Sequence, residues 1–294
     1  MITFSIITIT YNASQVLPST LSSVMAQTCK DVEHIIIDGA STDNTVALAE
    51  AYRGKSQTEA PLHRVIIVSE PDKGLYDAMN KGIAMATGDY VLFLNAGDTF
   101  PAADTLEMVE AAVGDGEELP AVLYGDTDIV DEDGNFLRHR HLMAPRKLSW
   151  RSFLQGMLVC HQAFYARTDL AKLTPYDLNY RYSADVDWCI RVMKLGAKRN
   201  LNMRNTGMVV AHYLDGGMTN LHHKDSLRER FHVMRRHYGL IPTTIMHVWF
   251  ALRNLMRSLS PLSLSLSILS VLSILSIHSI SSICSIFSIS SIAY

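Results

Sequence analysis

Residues Glu70–Asp98 read EPDKGLYDAMNKGIAMATGDYVLFLNAGD, and the rest of the chain falls into place around them. The stretch divides into a polar loop, a helix, a hydrophobic strand and an acidic turn. Tyr76–Ala86 has helical spacing, with Leu75, Met79, Ile83 and Ala86 towards one side. Tyr90–Leu94 is a short apolar run of strand formers, entered through Gly88-Asp89 and left through Asn95-Ala96-Gly97-Asp98. In open α/β sheets ligands bind outside the carboxyl ends of the strands, so this turn lies where a ligand is expected. Its carboxylate, side-chain amide and glycine offer hard oxygen donors and room for a phosphate-bound cation. Asn, Gly and Asp equally suit an ordinary strand-to-helix turn. The turn alone does not decide a function.

Towards the N-terminus the pattern repeats. Thr3–Thr10 mixes threonine, serine and isoleucine as a strand does, breaks at Tyr11-Asn12, and is followed by a predicted helix from Ser14 to Gln27. Glu33–Asp38 is a second strand, Ser41–Tyr52 a helix with Asp43 and Asn44 suited to its start, and Val65–Ser69 a third strand. Strands alternating with helices imply a mainly parallel sheet with right-handed crossovers. Element order and direction then collect Thr10–Asn12, Asp38 and Asn95–Asp98 at one carboxyl edge. Gly54-Lys55-Ser56 mimics the end of a phosphate loop, but Ala49 stands at the upstream glycine position, so a nucleoside triphosphatase reading fails.

Towards the C-terminus, Ala103–Val113 reads as a helix and Ala121–Tyr124 as a strand. Asp131–Asn135 is a hairpin turn that lacks the ligand spacing of a calcium loop. Ser183–Leu195 is a helix packing through Val186, Ile190 and Met193 or Leu195, and Val209–Ala211 a further strand. Leu221–Tyr238 is a basic amphipathic helix carrying His223, Lys224, Arg228, Arg230, Arg235 and Arg236. It continues into an apolar helix, Thr243–Leu255, with Trp249, Phe250, Arg253 and Arg257 on or beside it. Such a pair suits either a peripheral contact with anionic lipid or a solvated helix face. From Ser267 to Ser291 a serine recurs at every third position, with Ile or Val keeping the same step from Ile268 to Ile292. An α-helix has about 3.6 residues per turn, so a step of three winds the serines around the cylinder instead of making one polar face. We expect a non-catalytic hydrophobic appendage; its length also suits a bilayer-spanning helix, and its regularity an expanded or out-of-frame coding tract.

With 294 residues the chain holds one large domain with appendages, and a net charge of −3 with 19% charged residues gives no basic field for nucleic acid. Cys29, Cys160, Cys189 and Cys284 lack metal-site or disulfide-framework spacing, which suits a reducing compartment. Met1–Ile9 reads as a strand and not as a signal peptide, which predicts a cytoplasmic globular part.

Four blocks, taken in order, resemble a family 2 glycosyltransferase of the bacterial capsule, exopolysaccharide and O-antigen type. They are Ile6–Asn12, Ile35–Asp43, Glu70–Asp98 and Ser183–Trp188. The resemblance implies a GT-A-type nucleotide-sugar-binding α/β fold in residues 1–220, followed by basic helices (221–257) and a low-complexity tail (258–294). It also implies a hexosyltransferase using a nucleotide-diphosphate sugar donor, a Mg²⁺ or Mn²⁺ cofactor and a polyprenyl-diphosphate-linked glycan acceptor, at the inner face of the cell membrane.

Residue by residue, it places Thr8, Thr10, Asn12, Asp38, Asp72, Lys73, Asn80 and Asn95 around the nucleoside and diphosphate. Asp98 becomes the metal ligand, with His212 as a candidate second member. His161-Gln162 falls on the acceptor side. The family usually has an acidic residue where this chain has Asn95, so one charge is missing. Asp185 matches the second residue of the family's Glu-Asp pair, with Ala184 in the first place, and is the expected general base. Asp187, two residues on, points about 200° away along a helix and reads as a cap or loop holder. His212 precedes Tyr213–Thr219, which reads as a closing loop.

Two other classes stay open on sequence. A nucleotidyltransferase also sets an acidic turn beside a nucleotide pocket, but needs a glycine-rich basic loop that Thr10–Ser14 does not supply. A catalytically silent scaffold is the third, opposed by the presence of Asp38, Asp98 and Asp185.

Overall fold

The computed structural model describes residues 2–60, 63–114, 118–216 and 223–258. The chain forms two units, residues 1–243 and 244–294. The first is an eight-stranded sheet in the order β3-β2-β1-β4-β7-β5-β6, with β8 paired to β5. Its strands are β1 (Phe4–Thr10), β2 (Val32–Asp38), β3 (Arg64–Ser69), β4 (Tyr90–Phe93), β5 (Val122–Val130), β6 (Phe136–His139), β7 (Phe164–Arg167) and β8 (Met203–Leu214).

Helices α1 (Leu17–Met25), α2 (Thr45–Glu59) and α3 (Leu75–Met85) join the first four strands, which run parallel to one another. Every residue of β1, β2 and β4 is buried, as parallel strands covered on both faces require. Their polar side chains are therefore paired inside. The Glu33 carboxylate, for example, accepts from Ser5 Oγ (2.7 Å), Thr87 N (2.8 Å) and Arg64 Nη1 (3.0 Å). Helix α3 lies against β1 because residue 82 is glycine: a Cβ there would meet Ile7 Cγ2 at 2.5 Å.

The second half of the sheet is mixed. β7 lies antiparallel between β4 and β5, β6 pairs antiparallel with β5, and β8 runs parallel to β5. α4 (Thr105–Ala111), α5 (Thr168–Leu173) and α6 (Ala184–Lys198) flank these strands, and α7 (His223–Tyr238) follows β8. α8 (Leu240–Ser258) carries the chain into the second unit.

The expected central sheet is present, with several differences. α2 starts at Thr45, not Ser41, because Asp43 Oδ1 accepts from Thr45 N (2.9 Å) while Asp43 Oδ2 accepts from Ser14 N (3.1 Å), which holds the preceding loop open. α2 then runs through Gly54-Lys55-Ser56, so the phosphate-loop mimic is simply helix. β5 and β8 are longer than their apolar cores, and the stretch read as a loop from Tyr213 is strand as far as Leu214. β7 has no counterpart in the sequence reading. The tail beyond Ser258 lies outside the described residues.

Candidate active site

The carboxyl ends of β1, β2 and β3 are aligned by register, Thr10 beside Asp38 and Asp38 beside Ser69. Asp38 is 1% exposed. Its Oδ1 accepts from Thr10 Oγ1 (2.9 Å) and from Ser41 Oγ, and its Oδ2 accepts from Ser41 N (2.9 Å) and Ser69 Oγ (2.7 Å). Burial works to raise its pKa, but these hydrogen bonds outweigh it and hold the carboxylate below its usual range. Asp38 thus has every lone pair engaged inside the protein. It shapes the loop instead of facing the cleft.

Its neighbours open onto a cleft of about 890 Å³ bounded by Thr10, Tyr11, Gly39 and Asp72 at one end. Glycine at 39 matters here, because a Cβ would lie 2.7 Å from Asp72 Oδ2. Three expected nucleotide contacts bond to the protein itself. Thr8 Oγ1 donates to Leu94 O (2.7 Å) within the buried sheet. Asn12, at φ +48°, braces two loops by accepting from Thr42 N (2.9 Å). Asn80 grips the main chain of Tyr176, donating to its O (3.0 Å) and accepting from its N (2.7 Å). Lys73 is exposed and its side chain forms no part of the cleft wall. Local pattern could place these residues at the edge; it could not show which partner each polar group meets.

The acidic turn after β4 forms the cleft floor. Gly97, at φ +98°, is required twice over, since a Cβ would also sit 2.6 Å from Leu214 Cδ2. Asp98 is 4% exposed; its Oδ1 accepts from Leu214 N (3.1 Å) and its Oδ2 from Gln162 Nε2 (3.0 Å). Burial pushes its pKa up to about 6, against the pull of these hydrogen bonds. Asn95 turns its Nδ2 to His161 Nε2 (3.2 Å), and its buried Oδ1 has no hydrogen-bond partner.

His212 does not line the cleft. Its main chain pairs with Thr99, and β8 sets it in register with Asp128. Burial lowers its pKa, with Asp128 opposing. The next residues along the strand, Tyr213 and Leu214, line the cleft instead.

Opposite the turn, Asp185 stands in the first turn of α6, where its Oδ1 accepts from Val186 N (2.9 Å) and lies 3.4 Å from Tyr76 Oη. Its Oδ2 is 3.7 Å from His161 Nδ1. Burial favours the protonated form, but His161, the Arg230 charge and the Val186 N–H together bring the pKa below the usual value. Asp187 is 0% exposed and accepts from Arg191 Nε (2.6 Å) and His237 Nε2 (2.8 Å). It is neither a helix cap nor a loop holder; it joins α6 to α7.

The cleft wall also includes Asp215, from the stretch read as a closing loop, and Tyr76, Arg181, Tyr182 and Glu132, which were given no role from sequence. The turn at Asp131–Asn135 could have pointed to Glu132. The tyrosines carry no local signal; Tyr76 stacks on Tyr176 (5.2 Å between centroids), which stacks on Trp188 (4.9 Å), a column assembled from three distant segments.

A family model described as "Glycosyl transferase family 2" matches residues 5–173, a span that holds the acidic turn and His161-Gln162 but stops before Asp185. A PGL/p-HBAD biosynthesis glycosyltransferase of Mycobacterium tuberculosis is 39% identical over 219 residues, covering 74% of this chain and 79% of its own. The amylovoran biosynthesis glycosyltransferase AmsB of Erwinia amylovora is 32% identical over 204 residues, 67% of this chain and 66% of its own. Among solved structures, S. aureus TarS 1–349 in complex with UDP-GlcNAc superposes with a TM-score of 0.59 at 17% identity, over 79% of this chain and 64% of that one. The mannosyltransferase PcManGT from Pyrobaculum calidifontis, in complex with GDP-Man and Mn²⁺, gives 0.52 at 15% identity, over 94% and 80%. At those identities the structural likeness speaks for the fold alone. Family match and named relatives together are decisive: the chain belongs to glycosyl transferase family 2 and is a glycosyltransferase.

Proposed function

We propose that the protein moves a sugar from a nucleotide-diphosphate sugar to a hydroxyl of a lipid-linked or growing glycan, with inversion, in the assembly of a bacterial surface polysaccharide or glycolipid. One observation carries the reading. Asp98 and Asp185 open into the same cleft, and their environments drive their pKa values in opposite directions. Two carboxylates so separated suit two roles.

Asp185, ionised, takes the proton of the acceptor hydroxyl as its oxygen attacks the anomeric carbon. Attack opposite the leaving diphosphate inverts that carbon. Tyr11, 67% exposed at the lip beside Gly39 and Asp72, presents a ring for a nucleobase. The turn at Asn95–Asp98 receives the diphosphate. Relatives named for PGL/p-HBAD and amylovoran biosynthesis support the acceptor class, and neighbours holding UDP-GlcNAc and GDP-Man support the donor class.

Among the described residues no group of three or more His, Cys, Asp or Glu could hold a metal. Asp98 and the unpartnered Oδ1 of Asn95 nevertheless fit a Mg²⁺ or Mn²⁺ that draws its remaining oxygens from the diphosphate and water. Such an ion, when bound, supplies charge neutralisation for the departing diphosphate.

No described helix is long and apolar enough to cross a membrane. α8 contains no Asp or Glu, and Ile245, Val248, Trp249, Leu252 and Met256 are exposed along it at helical spacing. That supports a peripheral seat on an anionic membrane face. Purified protein screened against a panel of nucleotide sugars, with Mn²⁺ or Mg²⁺ and with chelator, tests the function. Transfer or hydrolysis of none of them would refute the donor class.

A further inference from the structure

The two carboxylates of the cleft arise far apart in the chain. Asp98 ends the turn after β4, and Asp185 opens α6. Between them stands the 3-10 turn His161–Ala163. Its first two residues serve different carboxylates.

Gln162 is 1% exposed, and both ends of its amide are occupied: Oε1 accepts from Cys160 Sγ–H (2.6 Å), and Nε2 donates to Asp98 Oδ2 (3.0 Å). Because an ionised carboxylate only accepts, that contact fixes which way the amide faces. His161 is packed edge-on to Phe93, with ring centroids 6.4 Å apart. The Asn95 amide donates to its Nε2, which leaves the ring proton on Nδ1, the atom facing Asp185 Oδ2 at 3.7 Å.

We infer that the His161-Gln162 turn is a positioning clasp, in which Gln162 sets the Asp98 carboxylate and His161 sets the Asp185 carboxylate. Gln162 therefore works on the donor side, not the acceptor side that family resemblance suggested. An in-line displacement needs the attacking oxygen and the leaving diphosphate held to a fraction of an ångström across the anomeric carbon. One rigid turn that holds a carboxylate for each side supplies that register. Asn95 belongs to the same device. Its amide donates to the imidazole, a bond that an ionised aspartate in its place could not make. The inference rests on the roles given to Asp98 and Asp185 above.

Substitutions at the two positions should separate. His161→Asn keeps an amide donor near the place of Nδ1, whereas His161→Gln reaches the place of Nε2. The Asn variant should transfer within a few-fold of wild type. The Gln and Ala variants should lose kcat by roughly the hundredfold expected of a misplaced group, with the donor-nucleotide Kd unchanged. Gln162→Met keeps the volume but removes both hydrogen bonds. It should raise the Kd for UDP or GDP with Mn²⁺ several-fold, and should not mimic the His161 variants.

Crystal structures of Gln162→Met and His161→Ala provide a readout free of turnover, with thermal melts confirming folding. Gln162→Met should release the Asp98 carboxylate and leave Asp185 in place; His161→Ala should do the reverse. Unchanged carboxylate positions in both variants would overturn the clasp, as would equal kinetic losses in His161→Asn and His161→Gln. A wild-type protein that binds neither UDP nor GDP would instead defeat the reading of the cleft, while the two crystal structures still judge the clasp.

Discussion

Asp98 and His34 are both shut away from water, and burial shifts each towards its neutral form. For Asp98 this raises the pKa from 3.8 to about 6. For His34, hydrogen-bonded to Thr8 and Tyr52, it lowers the pKa from 6.5 to about 3. The linkage signs are opposite. The folded state binds the Asp98 proton more tightly, so that contribution is full below the unfolded pKa of 3.8 and is lost as pH rises through 6. The folded state rejects the His34 proton, so its contribution is full above 6.5 and is lost as pH falls towards 3. Between about pH 4 and 6 the two slopes oppose each other at roughly 1.4 kcal/mol per pH unit each. Urea unfolding in EDTA should therefore show stability rising with pH in Asp98→Asn and falling with pH in His34→Gln, relative to wild type. Parallel profiles for all three proteins would refute the assignment. Function should follow the same residues. Asp98→Ala should abolish metal-dependent nucleotide-sugar affinity in calorimetry, and Asn95→Asp should strengthen it. Asp185→Asn should keep donor affinity and lose transfer by roughly 10²–10⁴.

At the scale of elements, α7 is the strut beneath the start of α6. Its Glu229 accepts from Tyr182 N (2.9 Å) and Ser183 N (3.4 Å), meeting the exposed amides at the start of α6 from a different helix. Its last turn is fixed by His237, which donates to the buried Asp187 and accepts from Lys194 Nζ (3.0 Å). Tyr238 stacks on Trp150 at 5.7 Å. Asparagine at 187 removes the charge and keeps one acceptor oxygen where Arg191 and His237 now each have their own. Asp187→Asn should thus cost about 3 kcal/mol, the scale of breaking a buried ion pair, and not the smaller loss of a cap. Thermal melts would register this, while donor affinity in the folded fraction should match wild type. A near-neutral melt would show that α7 is held by its apolar contacts instead.

At the scale of the whole molecule, the described residues that line the cleft run from Ile9 to Gly216, all before α8 begins. Residues beyond Arg257 contain no Lys, Arg, Asp or Glu. A chain cut after Ser258 should keep its rate with a water-soluble acceptor. Its partition onto vesicles containing anionic lipid should persist if α8 provides the membrane seat, and vanish if the removed tail does. Loss of turnover in a folded truncated protein would show that the tail serves the reaction.

The alternation from β1 to β4, the hairpin at Asp131–Asn135, the acidic turn and the family were all legible in the sequence, because each depends on residues close together along the chain. Periodicity reports burial, and glycine with Asn or Asp reports where the backbone turns. The family resemblance picked out Asp185, and helical geometry turned Asp187 away from it: the first lies in the cleft wall and the second is fully buried. Tertiary structure alone decided where polar side chains find their partners. Asp38, Thr8, Asn12 and Asn80 sit near the right edge yet spend hydrogen bonds on the protein, and β8 places His212 in register with Asp128. β7 was invisible because Phe164–Arg167 is too short to carry a pattern and gains its place only between β4 and β5. The joining of Gln162 to Asp98 and His161 to Asp185 is of the same kind. A sequence states which groups a segment carries; only the closed fold states which of them meet.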